Sequence, residues 1–315
     1  MSTPLRVVYV MTCTGRNRFS AMAYVAVKGL KRVHPDARAV LVCDPETRDR
    51  LAAEFPDLLA EYERVVATPS DVPDVMLRSR YLKTTIRDAV DGDFVYLDVD
   101  TLAVGPFADV AAGPWDVAAV QDRNHYCPVE PMFPYWREDD YRKLGWPSPL
   151  PKFFNSGVVF LRDNAKTRDL SRRWQARWRE LGPIGRADDD QFALNTAVYE
   201  TPGLVVNELD VRYNAMVGAH PSHARGAKVI HFFAPGLKPG SNTLADHLVT
   251  RYLATGEIDW PAADRCVAMD HPWVPPYWPR RLWQTGHRGM AVRLALGALP
   301  ARLVRRFRDN RGGVA

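Results

Sequence analysis

Short β-branched, apolar runs alternate with helix-period segments from the start of the chain, and this alternation restricts the folds open to it. Leu5 to Thr12 (LRVVYVMT) is almost wholly apolar, as a strand buried on both faces of a parallel sheet must be. Gly15 opens a turn, and Phe19 to Val33 then lines up Met22, Val25, Ala26, Gly29, Leu30 and Val33 along one side of a helix. Ala39 to Cys43 (AVLVC) reads as a second buried strand. Asp44-Pro45 ends it and starts another helix, and Val65-Val66 forms a short third strand. A β-α-β-α order predicts an α/β, Rossmann-like nucleotide-binding sheet flanked by helices.

Further along, Tyr81 to Val90 has helical character and leads into FVYLDVDTL (Phe94 to Leu102), a strand ending in acids. DVAAV (Asp116 to Val120) and NSGVVFLR (Asn155 to Arg162) are strands, separated by a Pro-, Trp- and Tyr-rich stretch, Gln121 to Lys152, read as a substrate-facing loop with short helices. An amphipathic helix with Leu170, Trp174, Trp178 and Leu181 on its buried side follows, and VVNEL and KVIHFF are two more strands. Beyond Pro261 the composition turns to Trp, Pro and Arg, which places a boundary near residue 260: residues 1–260 form one body and 261–315 a separate segment ending in a basic tail.

With 46% hydrophobic and 25% charged residues, a disordered chain is excluded. Cys13, Cys43, Cys127 and Cys266 are far apart and never spaced CxxC, which speaks against a zinc ribbon or a disulfide scaffold and predicts a reducing, cytoplasmic compartment. The apolar start is too short for a signal peptide, and no uncharged apolar stretch approaches the ~18 residues of a membrane span. Net charge is +5, but Arg280 to Ala315 holds nine Arg and one Asp, or +8, leaving −3 for the rest. A mildly acidic body is not a nucleic-acid binder, whereas the tail suits an anionic surface.

Asp98-Val99-Asp100 is the sharpest chemical signal. Residues i and i+2 of a strand project to one side, where two carboxylates repel, and a divalent cation removes that conflict. The apolar run Phe94 to Leu97 places the pair at the carboxyl edge of a sheet, where ligands bind in such folds. A turn with solvated acids is the plain alternative. DVDTL also fits the nucleophile motif of haloacid-dehalogenase-like phosphatases, with Asp98 as nucleophile, although there the motif strand usually opens the fold.

Taken in order, FVYLDVDTL, FNSGVVFLR, DDDQFALN, RYN and HFFAPGLKP resemble glycosyltransferases of the GT-A fold, closest to family 8, the glycogenin and bacterial lipopolysaccharide galactosyltransferase family. The resemblance spans Leu5 to Pro239. It implies a GT-A, nucleotide-diphospho-sugar transferase fold and a hexosyltransferase that acts in polysaccharide biosynthesis. The donor it implies is a nucleotide-sugar, UDP-linked, and the acceptor a hydroxyl of a glycan or lipid-linked glycan, with retention of anomeric configuration. Asp98, Asp100 and His231 match the family's metal ligands, implying Mn²⁺ or Mg²⁺; without the family, His231 reads as a core histidine. Gly236 and Lys238 match the diphosphate-holding loop, although Gly240 stands where the family has Trp. Asn155, Ser156 and Gly157 match the strand start whose Asn contacts sugar hydroxyls and whose Gly admits close backbone approach. Asp190 and Gln191 match the pair at the sugar, with Gln191 beside the anomeric carbon opposite the leaving group; an acidic helix cap is the alternative. Arg80 and Lys83 fall where the family places basic residues against donor or acids, and Thr12 and Thr14 where base and ribose lie. Tyr213-Asn214 is read as mainly structural. A catalytically silent nucleotide- or glycan-binding module is the remaining alternative.

In the tail, Val292, Leu296, Leu299, Leu303 and Phe307 share one helical face, with Arg293, Arg302, Arg305, Arg306 and Arg308 elsewhere around it. Together with WVPPYWPRRLW this predicts either an interfacial helix on the inner face of a membrane or a terminal helix packed on the body.

Overall fold

The computed structural model describes residues 4–123, 133–233 and 239–297. The first half runs β1 (Arg6–Val10), α1 (Arg18–Val33), β2 (Arg38–Cys43), α2 (Pro45–Glu54), α3 (Pro56–Ala60), β3 (Arg64–Ala67), α4 (Val75–Thr84), α5 (Ile86–Ala89), β4 (Phe94–Leu97), β5 (Thr101–Ala103) and β6 (Val117–Gln121). The second runs α6 (Glu138–Leu144), β7 (Phe154–Leu161), α7 (Ala165–Leu181), α8 (Asp190–Glu200), β8 (Val206–Glu208), β9 (Ala215–Met216), β10 (Val229–His231), α9 (Leu244–Thr255), α10 (Trp260–Ala268), α11 (Pro279–Gln284) and α12 (Arg288–Gly297). A seven-stranded sheet has the order β3-β2-β1-β4-β7-β6-β8 and a small one the order β5-β10-β9. Strands β3 to β4 are mutually parallel, as βαβ crossovers require, and β7 runs antiparallel between β4 and β6.

Local chemistry explains the elements. Asn17 closes a capping box at α1, and Asp44 caps α2 by accepting from Thr47 N at 2.7 Å, with Pro45 in the first helical position. Alternation along β1 sends Val7 and Tyr9 into one core and Val8 and Val10 into the other, so both sheet faces are apolar. Helix α7 buries Leu170, Trp174, Trp178 and Leu181, each contributing roughly 1.5–3 kcal/mol. Its two tryptophans also hold the approach to α8: Trp178 Nε1 donates to Ala187 O at 2.8 Å and Trp174 Nε1 to Asp190 O at 2.9 Å.

Several elements depart from expectation. FVYLDVDTL is not one strand: β4 stops at Leu97, Asp98 to Asp100 form a turn, and β5 continues in the other sheet. Asp98 N–H donates to Gly157 O and Thr101 N–H to Asp98 O, at 2.8 and 3.1 Å, and these bonds turn the chain out of the large sheet. The helix expected at Tyr81 to Val90 starts earlier, at the Asp74 cap, and breaks at Thr85. KVIHFF ends as a strand at His231.

Ala262, Ala263, Cys266 and Val274 share one apolar cluster with β1 and α1, across the position where the sequence placed a boundary. Cys13, Cys43 and Cys266 are free and buried, and Cys127 lies outside the described residues. Gly236, Lys238 and the tail residues from 298 onward, including Leu299, Arg302, Leu303, Arg305, Arg306, Phe307 and Arg308, also lie outside them. On α12, Val292 and Leu296 are exposed. Among the described residues no helix is long and apolar enough to cross a membrane.

Candidate active site

A cleft of about 850 Å³ opens along the carboxyl ends of β1 and β4, bounded by α4 and the start of α8. Its volume lies within the range of small-molecule sites. Thr12, Thr14, Arg80, Lys83, Asp98, Asp100, Asn155, Ser156, Gly157, Asp190, Gln191 and His231 all line it, so the structure gathers every site residue expected from sequence that it describes.

At the floor, Asp98, Asp100 and His231 offer ligand atoms that lie within 4.8 Å of one another. His231 Nε2 stands 3.2 Å from Asp100 Oδ1 and 4.0 Å from Asp98 Oδ2. Burial opposes charge on Asp100, but His231, Lys83 and Arg80 outweigh it and hold the carboxyl below its usual value. Burial likewise opposes charge on His231, and the facing Asp100 and Asp98 push the imidazole up. Asp100 Oδ1 is buried without a hydrogen-bond partner. Two carboxylates and one imidazole around an unsatisfied oxygen fit a divalent cation, since ligands of a shared ion at about 2.1 Å stand roughly 3–4.2 Å apart.

Gly157 makes this convergence sterically feasible. A Cβ there would collide with the His231 ring and sit 2.7 Å from Asp98 Oδ2. The close approach that this glycine permits is made by the His231 and Asp98 side chains.

Lys83 occupies the centre, with its side chain only 2% exposed. Its Nζ lies 3.2 Å from Asp98 Oδ1 and 3.2 Å from Asp190 Oδ2, and donates to Ser156 Oγ at 3.0 Å. Arg80 Nη1 is 3.2 Å from Asp190 Oδ1, which raises the guanidinium pKa further. Tyr96 OH donates to Asp98 Oδ1. Above them, burial pushes the Asp189 carboxyl up to about 7, with Asp190 and Asp188 adding and Arg137 opposing.

Asn155 lines the cleft from the start of β7. It is 3% exposed, and both ends of its amide are engaged inside the protein. Its Oδ1 accepts from Gly157 N and Asn214 Nδ2, and its Nδ2 donates to Asp122 Oδ1 and Gln191 Oε1. A sugar hydroxyl would have to displace one of these bonds. Past the end of β1, Thr12 Oγ1 donates to Val75 O at 2.6 Å, while Thr14 is exposed.

Three participants escaped the sequence reading. Tyr96, on β4, lies two residues before Asp98 in the turn that follows it. Asn214, read there as mainly structural, accepts from His231 Nδ1 at 3.0 Å through its Oδ1. Asp122 carries no local signal.

No protein-family model matches the chain, and no curated protein matches it in sequence. Solved structures do. The apo structure of the bifunctional glycosyltransferase WbbM superimposes with a TM-score of 0.52 at 14% identity, covering 86% of this chain; the match spans about half, 52%, of the WbbM chain. Mouse xyloside xylosyltransferase 1 aligns with a TM-score of 0.49 at 14% identity, over 75% of this chain and 100% of that one. The galactosyltransferase LgtC, in complex with donor and acceptor sugar analogues, gives 0.48 at 15%, over 88% and 100%. The sheet order and the WbbM superposition together show that this chain has the GT-A glycosyltransferase fold.

Proposed function

We propose that the protein is a metal-dependent glycosyltransferase that moves a hexose from a nucleotide-sugar, UDP-linked, to a hydroxyl of a glycan or glycolipid, with retention. One observation carries this reading: Asp98, Asp100 and His231 converge at the floor of a cleft that also contains Asp190 and Gln191. The three converging side chains would hold Mn²⁺ or Mg²⁺, with the nitrogen ligand favouring Mn²⁺. Such a cation, when bound, supplies positive charge against the charge growing on the departing nucleoside diphosphate. Lys83 and Arg80 hold the Asp190 carboxylate in place through ion pairs at 3.2 Å, where it would accept from sugar hydroxyls. Gln191 forms the wall of the sugar site, and Thr12 and Thr14 border the nucleoside end. Gly236 and Lys238 are assigned to the diphosphate on the resemblance alone. Residues 1–260 would be the catalytic body.

The same reading places residues 261–315 at an anionic membrane on the inner, cytoplasmic face, near a lipid-linked acceptor. Trp278 and Trp283 are 60% and 52% exposed, beside Arg280 and Arg288, which supports an interfacial role. The phosphatase alternative has less support. A complete β-α-β-α unit precedes the Asp98 turn, whereas the phosphatase motif strand usually opens its fold.

A thermal-shift panel of nucleotide-sugars with and without Mn²⁺, read beside donor hydrolysis, tests the proposal. The expected result is Mn²⁺-dependent stabilisation by several degrees with one UDP-sugar, together with slow release of its hexose. If no nucleotide gives a metal-dependent shift, the reading fails. Binding without any turnover would make the chain a silent nucleotide-binding module.

A further inference from the structure

Amide side chains have two ends of opposite hydrogen-bonding character, and a backbone N–H can only donate. Two backbone N–H groups therefore fix the direction of every bond around Asn155. Gly157 N donates to Asn155 Oδ1 at 2.9 Å, so Asn155 must present its Nδ2 on the other side, to Gln191 Oε1 at 3.0 Å. Ser156 N donates to the same Gln191 Oε1 at 3.1 Å, which fixes the glutamine independently. In the other direction, Asn155 Oδ1 also accepts from Asn214 Nδ2 at 2.8 Å, which turns Asn214 Oδ1 toward His231 Nδ1 at 3.0 Å. That nitrogen must carry the proton, and Nε2 is the one free to bind a metal.

We infer that Asn155 and Asn214 form a backbone-anchored relay that sets the His231 tautomer at one end and commits the Gln191 carbonyl oxygen at the other, so that Gln191 is a positioning residue and not a nucleophile. The Gln191 oxygen already accepts two hydrogen bonds, and Asn155 Nδ2, one of its donors, also donates to half-buried Asp122 at 2.9 Å. Attack on an anomeric carbon would require that oxygen to leave both donors, stranding a buried backbone N–H. Asn214 and His231 are 0% and 2% exposed, so solvent offers neither a substitute partner.

The inference rests on the metal reading above, and its experiment separates the two. Mn²⁺ affinity is measured by the electron paramagnetic resonance of free Mn²⁺, without substrate, for the native chain, Asn214→Leu and Asn214→Asp. Asn214→Leu removes the acceptor from His231, and the expected loss is about 10- to 100-fold. Asn214→Asp keeps an acceptor there and should stay within about threefold of native. Should the leucine variant not fold, Asn214→Ser takes its place, since its shorter hydroxyl cannot bridge both partners, with a loss of at least about 10-fold expected. Native Mn²⁺ binding that none of these variants weakens overturns the relay alone, whereas no native binding overturns the metal reading and the His231 end with it. For the other end, native protein incubated with donor and Mn²⁺ is digested and analysed by mass spectrometry. The peptide bearing Gln191 should carry no hexose, and a hexose mapped to Gln191 overturns its assignment as a positioning residue.

Discussion

The two halves of the large sheet are held together differently. From β3 to β4 the strands are parallel and the binding edge is sparsely bonded: Thr12 reaches one backbone carbonyl, and Thr14 faces solvent. Beyond β4, β7 runs antiparallel to both its neighbours while β6 and β8 pair in parallel, and side chains from distant parts of the chain interlock, as with Asn155 and Asn214, 59 positions apart, or Lys83 and Ser156, 73 apart. Periodicity declares most of the first half, although Thr47 Oγ1 bonds the Cys13 backbone there, while around the cleft the second half rests more on polar contacts that exist only once the chain has folded. Substitutions in the second half should therefore cost far more than comparable ones in the first.

The largest expected effect is at the metal ligands. On the proposed reading, Asp100→Ala removes a cation ligand that also faces His231 at 3.2 Å, and losing several kcal/mol of charge stabilisation lowers donor turnover by about 10³-fold. The same variant should lose the Mn²⁺-dependent thermal shift while retaining its fold by circular dichroism. An undiminished shift would place the cation elsewhere and break the contrast at its centre.

Next comes Lys83→Met, which keeps the stem and deletes the charge. It leaves half-buried Asp98 and buried Asp190 without their shared partner, and breaking the buried Lys83–Asp190 pair costs about 3–5 kcal/mol, to be read from urea unfolding. Gly157→Ala should follow. Its Cβ must push His231 or Asp98 aside, so about 1–3 kcal/mol of overpacking is expected together with weaker Mn²⁺ binding, while nucleoside affinity without metal stays unchanged.

This contrast also explains what could be read in advance. The β-α-β-α opening, the buried stripe of α7 and the NSGVVFLR strand follow from local patterns of residue type, because each needs only its own neighbours to declare itself. The acid pair was located correctly, yet its geometry was not: the strand pleat suggested one answer and a turn closed by Gly157 and Asp98 backbone bonds supplied another. The resemblance implies a sugar contact for Asn155, and an isolated amide in a sequence names no partner of its own. Only the positions of Gly157 N, Asp122, Gln191 and Asn214 show that its bonds are already made. Asp122 has no signal at all in its neighbourhood, since its partners come from β7 and α8.

A pH titration sharpens the comparison at the far edge of the second half. Asp116 accepts from Val205 N and Asn164 Nδ2, both at 2.8 Å, and from Lys166 Nζ at 3.1 Å, tying β6 to β8 and to the start of α7. Burial raises its carboxyl, but these donors outweigh it and hold the group below its ordinary value of 3.8. A depressed carboxylate contributes stability that is full above 3.8 and fades as pH falls through the folded value. Asp116→Asn should therefore lose about 1–2 kcal/mol near neutral pH, and its deficit against the native chain should close in acid. A deficit that persists at low pH would mean that packing, not charge, holds this edge.

The smallest effect is expected in the first half. Thr12→Val is nearly isosteric and removes one hydroxyl, whose hydrogen bond to Val75 O joins β1 to α4. A single such bond is worth about 0.5–1.5 kcal/mol, and the surrounding core at Val10 and Met11 is untouched. Unfolding stability should fall by that amount, with nucleotide affinity changed by no more than about tenfold, because 1.4 kcal/mol is one decade. A loss as large as that of Gly157→Ala would show that the nucleoside edge is interlocked like the metal side. The sparse bonding seen there would then conceal a coupling between β1 and α4 that periodicity alone does not create.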